Sequence, residues 1–581
     1  MASAEASNPT KDTPSEAVLA TSSPPVAKEA PPHGYGWRFW AIIGTLSITF
    51  LLSALDISVI STALPHIVED LGAGEEYQWI PTAYFLTNTA FQPLYGQAAN
   101  IVGRRVLILG AVTMFAIGSA VSGSAPNTAA LISGRTIQGI GGGGINVMIE
   151  IVVCDLCPLR ERAKYLGIIN IGFAVAIGLG PVIGGLMTDR VTWRWIFYMN
   201  LPICGVSLAL LFIFLRVQYR KDTSGRSILR RIDFGGNALL ISSVIAILIA
   251  LTYGGTLHPW GSWRTIVPLV LGALGLVSFL ALQSTKYIPE PTMPLRMFAN
   301  RTSLAGFGLT FVHSILMFQI TYYLPLYFQS LKNASPTASG VYMLPTSIAA
   351  MPFAITAGIA LSKLGKYKPI MLIGCVCLSI SFGLFSMLDA SSTTAFWIGI
   401  QFLEAAGVGI LLPTTLPAVQ APLEDSDTAV ITATWGFLRA FGGVWGISIP
   451  ATVFNSRVNQ LIHRVEDPSL QQLMINGGAY ARASKDFIAS LNPVPAVKAE
   501  VISVYTDALE LSWQVGIGFS VLAFFIVFIL KEVPMREHLE TDFGLEDTRK
   551  LSTPEKDPEA GGSSSERALE PSNVPFTEKD L

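Results

Sequence analysis

Residues 39–62 read FWAIIGTLSITFLLSALDISVIST, twenty-four positions with a single ionisable side chain, Asp56, close to the end. The run has neither the alternation of a strand nor the one-sided stripe of a surface helix; it is apolar all round. A helix of that length rises ~36 Å at 1.5 Å per residue, enough to cross a hydrocarbon core of ~30 Å. A strand in its place would leave lipid-facing backbone groups unpaired. The stretch therefore reads as a transmembrane helix, with one carboxylate placed where it is expensive.

The same texture recurs along the chain. Uniform apolar runs lie near 105–124, 165–187, 234–254, 265–283, 369–388 and 509–530, and less uniform ones near 77–96, 127–153, 197–217, 303–328, 340–361, 395–417 and 428–452. The expected total is about fourteen spans, an even number that puts both termini on one side. Composition agrees: of 581 residues 51% are hydrophobic and only 13% charged, with a mean hydropathy of +0.51. Soluble domains carry about 25% charged residues, so an ordinary soluble enzyme is excluded. Five cysteines are too few for a disulfide framework. Cys154 and Cys157 lack the further ligands that a zinc site needs.

Basic residues in the short loops set the orientation. One alternate set holds Arg104 and Arg105; Arg160, Arg162 and Lys164; then Arg220, Lys221, Arg226, Arg230 and Arg231. It continues with Lys286, Arg296 and Arg301, then Lys363, Lys366 and Lys368. This side is expected to be cytosolic, with both termini on it, although the acidic run 424–427 breaks the rule. Residues 1–38 and 531–581 read as disordered extensions. The formal charge of −2 hides an asymmetry: the tail holds 7 basic and 13 acidic residues, whereas the body from 39 to 530 is about +5. The expected organisation is a first bundle over 39–217, a linker with two additional spans over 218–302, and a second bundle over 303–530. That second bundle includes an outer loop at 456–508 with short surface helices.

Ionisable residues inside the bilayer cost at least ~2.5–3.5 kcal/mol each at the helix centre, so they are the first functional candidates. They are Asp56 in span 1, Arg135 in span 4, Glu404 in span 12, Arg439 in span 13 and, as a titrating group, His313 in span 9. Glu150 sits near the cytosolic end of span 4 and reads as interfacial. Depth places Asp56 beside Arg135, and Glu404 beside Arg439. Each pair admits two readings, a structural ion pair or a proton-responsive couple. Gln138, Trp435, Phe318 and Met317 are candidate cavity-wall residues, though core packing accounts for the last three equally well. The glycines of 135–144 (RTIQGIGGGG) and the Gly180-Pro181, Gly184, Gly185 group of span 5 allow close helix approach or bending.

These segments together resemble the fourteen-span drug:proton antiporter branch of the major facilitator superfamily, over about 40–530. The stretch 55–65 (LDISVISTALP) is similar to its span-1 motif and 79–84 (WIPTAY) to its span-2 opening. Residues 96–105 (GQAANIVGRR) resemble the superfamily's span 2–3 loop motif, carried by Gly96, Gly103, Arg104 and Arg105, with Asn100 where an acidic residue is usual. LISGRTIQG at 131–139 resembles the span-4 motif whose arginine is linked to proton transfer. GIINIGFAVAIGLGPVIGG at 167–185 resembles the antiporter motif, with Ala176 where glycine is usual. WRWIFYMNLP at 193–202, YLPLYFQ at 323–329 and FLRAFGG at 437–443 are similar to further segments.

The resemblance implies an all-α polytopic major facilitator fold of two six-helix bundles plus two extra central spans. It further implies a midplane cavity lined by spans 1, 4, 9 and 12. The expected function is proton-coupled export of small amphipathic compounds, such as drugs, toxins or secondary metabolites, across the plasma membrane. A vacuolar or vesicular transporter, or an importer of amino acids or metal chelates, is the alternative. No cofactor, metal or nucleic acid is expected, and no ATP, because no phosphate-loop motif is present. The expected partners are the substrate, protons and the lipid bilayer, and the expected state is a monomer.

Overall fold

The structure, a computed structural model, describes residues 36–72, 79–216, 231–254, 258–285, 288, 290–475 and 477–536. The N-terminal extension to residue 35, the linker 217–230 and the tail from 537 lie outside the described residues. The described chain is helical. Among the described residues, twelve helical stretches are long and apolar enough to cross a membrane. The two other expected spans fall on helices as well. The region 77–96 holds α2 (Trp79–Ala90) and α3 (Gln92–Val102), separated at Phe91, and the region 165–187 lies within α6 (Leu159–Arg190).

The first half comprises α1 (Trp37–Leu71), α2, α3, α4 (Arg104–Gly123), α5 (Thr128–Leu156), α6, α7 (Trp195–Tyr198) and α8 (Asn200–Phe214). Within it α5 packs against α4 and α2, and α1 against α6 and α8. The second half comprises α12 (Arg301–Ser330), preceded by the short α11 (Arg296–Ala299), and α13 (Pro336–Tyr342), α14 (Leu344–Leu364), α15 (Lys368–Phe385), α16 (Thr394–Gln420), α17 (Thr428–Leu461) and α21 (Pro495–Ile529). Here α16 packs on α14 and α15, and α12 on α17 and α21. Three short helices, α18 (Pro468–Met474), α19 (Gly478–Ala481) and α20 (Lys485–Ser490), fill the segment between α17 and α21.

The inserted pair, α9 (Phe234–Tyr253) and α10 (Trp263–Gln283), pack on one another, and α9 reaches α2 and α17. Only 17% of the apolar window of α10 is covered by protein, which marks it as a peripheral, lipid-facing helix. Helix starts are set by polar caps. Asn127 accepts from the Ala130 N–H, Asn300 from Thr302 and Asp233 from Gly236, each satisfying an otherwise orphaned donor.

The halves meet along α6 with α14 and α16, and along α17 with α3 and α5. Their polar contacts gather at the end bearing the basic loops. Arg160 donates to the Ser362 and Lys363 carbonyls at 2.5 and 2.8 Å. Arg162 donates to Gln420 Oε1 at 2.7 Å and faces Asp425 at 3.9 Å. The acidic run that breaks the loop-charge pattern thereby finds its reason: Asp425 also pairs with Arg536, and Asp427 with Arg296.

One expectation needs correcting. The tail was expected to be disordered from Lys531, yet 531–536 is fastened across the basic end. Glu532 accepts from the Tyr367 N–H at 2.8 Å, Val533 N–H donates to the Tyr367 hydroxyl at 3.0 Å, and Arg536 donates to the Leu423 carbonyl at 2.8 Å.

Candidate functional site

Asp56 and Arg135 meet. From α5, Arg135 Nη1 donates to Asp56 Oδ2 of α1 at 2.5 Å, and the two side chains are 1% and 2% exposed. Burial of that degree is costly unless the charges are paired and hydrogen-bonded, and here both carboxylate oxygens have donors. Gln138 Nε2 and Asn200 Nδ2 donate to Asp56 Oδ1 at 2.6 and 3.0 Å. Arg135 also donates to Gln138 Oε1 at 2.8 Å and to the Ile80 carbonyl at 3.3 Å. Its guanidinium lies 4.4 Å over the Tyr84 ring and 5.9 Å from that of Phe197, a placement that suits a weakly hydrated planar cation. Ser119 accepts from Gln138 at 2.9 Å and anchors the network to α4.

Gln138 is thus a partner of the ion pair and is fully buried in this state. The sequence reading assigned no role to Asn200, Ser119 or Tyr84. Their signal was visible in retrospect: Asn200 is a lone amide at the mouth of an apolar run, and such residues are rarely idle in a membrane helix.

The second expected pair does not form. Arg439 Nη2 donates instead to Glu150 Oε1 at 2.7 Å, joining α17 of the second half to α5 of the first. Glu150 was read as interfacial, but its side chain is 7% exposed. Depth was the sole guide from sequence, and it says nothing of the direction in which a side chain leaves its helix. The Arg439 guanidinium rests 4.5 Å over the Trp435 ring, whose Nε1 donates to Thr415 at 3.1 Å.

Glu404 stays inside the second half, buried near Thr346 of α14, which also donates to Gln401 at 3.1 Å. Its Oε2 has no hydrogen-bond partner among the described residues, nor has Nε2 of the buried His313. The four candidate charges are therefore unequal. Asp56 and Arg135 pair with one another, Arg439 holds Glu150, and Glu404 has no cation on it among the described residues. Phe318 stacks on Tyr322 with ring centroids 6.4 Å apart, and Met317 packs against the second-half core.

The conformational motifs are placed as follows. Arg104 pairs with Asp155 at 2.8 Å and donates to the Ala99 carbonyl at 2.7 Å. Arg105 donates to the Phe212 carbonyl at 2.6 Å and covers that ring. Gly103 sits at φ +97°, between α3 and α4, a conformation that favours glycine. Asn100 lies on α3 with its Oδ1 unpartnered. Gly96 faces Ala433 across the halves, and Gly180 faces Ser58 of α1. Pro181 and Gly185 stand on α6, as does the buried Gly184.

The sequence pattern described as Major Facilitator Superfamily matches residues 46–447. The chain belongs to the major facilitator superfamily. A Fusarium protein named MFS-type efflux pump LUC4 is 47% identical over 547 residues, covering 94% of this chain and 96% of its own. Efflux pump FUS6 of Gibberella fujikuroi is 48% identical, covering 89% and 93%. The acurin A biosynthesis cluster MFS-type transporter of Aspergillus aculeatus is 47% identical, covering 90% and 94%. Among solved structures, the human organic anion transporter MFSD10 (TETRAN) aligns with a TM-score of 0.56 at 15% identity, over 85% of this chain and all of that one. The proton:xylose symporter XylE aligns at 0.55 and 14%, over 86% and 98%. The fold is that of the major facilitator superfamily, and the protein is a multi-pass membrane transporter of small molecules, not an enzyme.

Proposed function

We propose that this transporter is a proton-coupled antiporter that exports small amphipathic secondary metabolites by alternating access. Fourteen spans cross the membrane in this reading, with both termini and the basic end facing the cytosol. The plasma membrane is its location. The observation that carries the reading is the sealed Asp56–Arg135 couple, answered by Gln138 and Asn200. An ion pair so costly to bury, on two spans expected to line the cavity, is worth keeping where its breaking drives a conformational step. Export is supported by the relatives named as efflux pumps and by one named for a biosynthesis cluster.

A proton entering from outside neutralises Asp56, which accepts from three donors. That loosens Arg135 and lets the substrate leave outward; loss of the proton inward resets the site. Glu404, which has no cation on it, and His313 extend the proton-responsive surface into the second half.

Inside-out membrane vesicles from cells expressing the chain, screened with a panel of radiolabelled amphipathic compounds, test this. The expected result is uptake that requires an acidic lumen, collapses with a protonophore and is lost in Asp56→Asn. Uptake indifferent to the pH gradient, or a gradient that drives compounds out of such vesicles, would contradict it.

A further inference from the structure

The Glu150–Arg439 bond lies outside the expected cavity pair, crosses from one half to the other, and must break whenever the basic end opens. Its surroundings are unusual. Glu150 Oε1 takes the Arg439 hydrogen bond, but among the described residues Oε2 has no partner, and neither has Oε1 of the buried Gln92 on α3. Both orphans face the same gap. A Cβ placed on Gly436 of α17 would stand 3.1 Å from Gln92 Oε1 and 3.4 Å from Glu150 Oε2. Two buried acceptors aimed at one small space call for a hydrogen between them.

What aims Gln92 is a file of side chains at four-residue steps. Gln92 Nε2 donates to Asn88 Oδ1 at 3.2 Å, Asn88 Nδ2 donates to the Tyr84 hydroxyl at 3.4 Å, and that hydroxyl meets Ser53 at 3.3 Å. Tyr84 is also the ring beneath Arg135. In this direction the file presents oxygen to Glu150, which suits a neutral acid with a hydrogen to give. In the reverse direction it would present N–H, which suits the anion.

We propose that Glu150 is a second proton-binding site, distinct from Asp56, and that its protonation releases the tie to Arg439 that holds the two halves closed at the basic end. The balance is simple. One proton from the aqueous phase adds to the Glu150 carboxylate, its hydrogen turns toward Gln92, and Arg439 loses its counter-ion. The charged groups around Glu150 are few. Arg439 comes from α17, with His313 of α12 within that guanidinium's field, while the Arg104–Asp155 pair and Arg162 lie about a turn further toward the basic end. From α3 the facing group is the neutral Gln92.

This inference rests on proton coupling as proposed above, but its test needs no gradient and no substrate. Spin labels on the basic-end loops of the full chain in lipid nanodiscs would report the distance between halves as a function of pH. In wild type the population opens at that end as pH falls. Glu150→Gln is expected to be shifted open and to lose the pH response, whereas Asp70→Asn, at the exposed end of α1, keeps it. Should Glu150→Gln fail to fold, Glu150→Gln/Arg439→Gln, which leaves no unpaired charge, carries the same expectation. A pH response that survives in the Glu150 variant, or a wild type whose distances do not change with pH, would overturn the assignment. Either outcome would leave proton-driven export in vesicles to stand or fall separately.

Discussion

Asp56 and Arg135 are worth most together. Removing one leaves the other buried without a counter-charge, which costs about 3–5 kcal/mol, while replacing both with apolar residues of similar size is far milder. Asp56→Ala is therefore expected to lower the melting temperature of the purified protein sharply, and Asp56→Ala/Arg135→Met to recover most of the loss. Additive single effects in that double-mutant cycle would contradict the network described here. Which residues are ionisable and deep was legible from the sequence alone, because charge in an apolar run has no camouflage. Which of them pair was legible only for Asp56. The azimuth of Glu150, Glu404 and Arg439 around their helices depends on packing that no local pattern records.

At the scale of elements, the glycine run of α5 turns out to serve contact. A Cβ on Gly141 would meet the Phe115 backbone of α4 at 2.4 Å, and one on Gly143 the Asn88 carbonyl of α2 at 2.4 Å. These helices pack backbone to backbone, as small residues permit in membranes. Gly141→Ala is expected to cost about 1–3 kcal/mol by overpacking, read as a lower thermal midpoint. The sequence showed that glycine mattered in this span, but it left open whether bending or approach was the reason. Outside the spans, Asp70 fastens the end of α1 to Trp193 and Arg194 through two 2.9 Å hydrogen bonds. These bonds hold its carboxyl below the usual carboxylate range, with desolvation opposing. A depressed folded-state pKa adds stability above the unfolded value, ~3.9, and loses it as pH falls through the folded one. The side chain is half exposed, so the contribution is at most about 1 kcal/mol. The melting difference between Asp70→Asn and wild type should accordingly shrink as pH falls below ~3.9.

At the scale of the whole molecule, the closed basic end is a composite of apolar pinch points and polar ties. Gly96 of α3 sits against Ala433 of α17, where an added Cβ would come within 2.2 Å, and Gly358 of α14 sits 2.9 Å by the same measure from the Ala163 backbone of α6. A larger side chain at either place acts as a wedge. Gly96→Val is expected to raise the accessibility of Cys154, which is buried beside Gln420 and Thr432, to a thiol reagent applied at the basic end. Unchanged labelling would count against these contacts as the closure. The helical, many-span character of the chain followed from hydropathy. The acidic run 424–427 stood out as an exception to the loop-charge pattern, because its partners Arg162, Arg296 and Arg536 are remote in sequence and meet it only across the finished fold.

The central claim is that substrate and proton exchange at buried carboxylates, and one measurement addresses it directly. The purified transporter, held unbuffered near neutral pH with a pH-sensitive dye, would be titrated with a compound found to be exported in the vesicle screen. The account predicts that binding releases protons from the wild type and that Asp56→Asn releases fewer. Saturating binding of that compound with no proton release would contradict it.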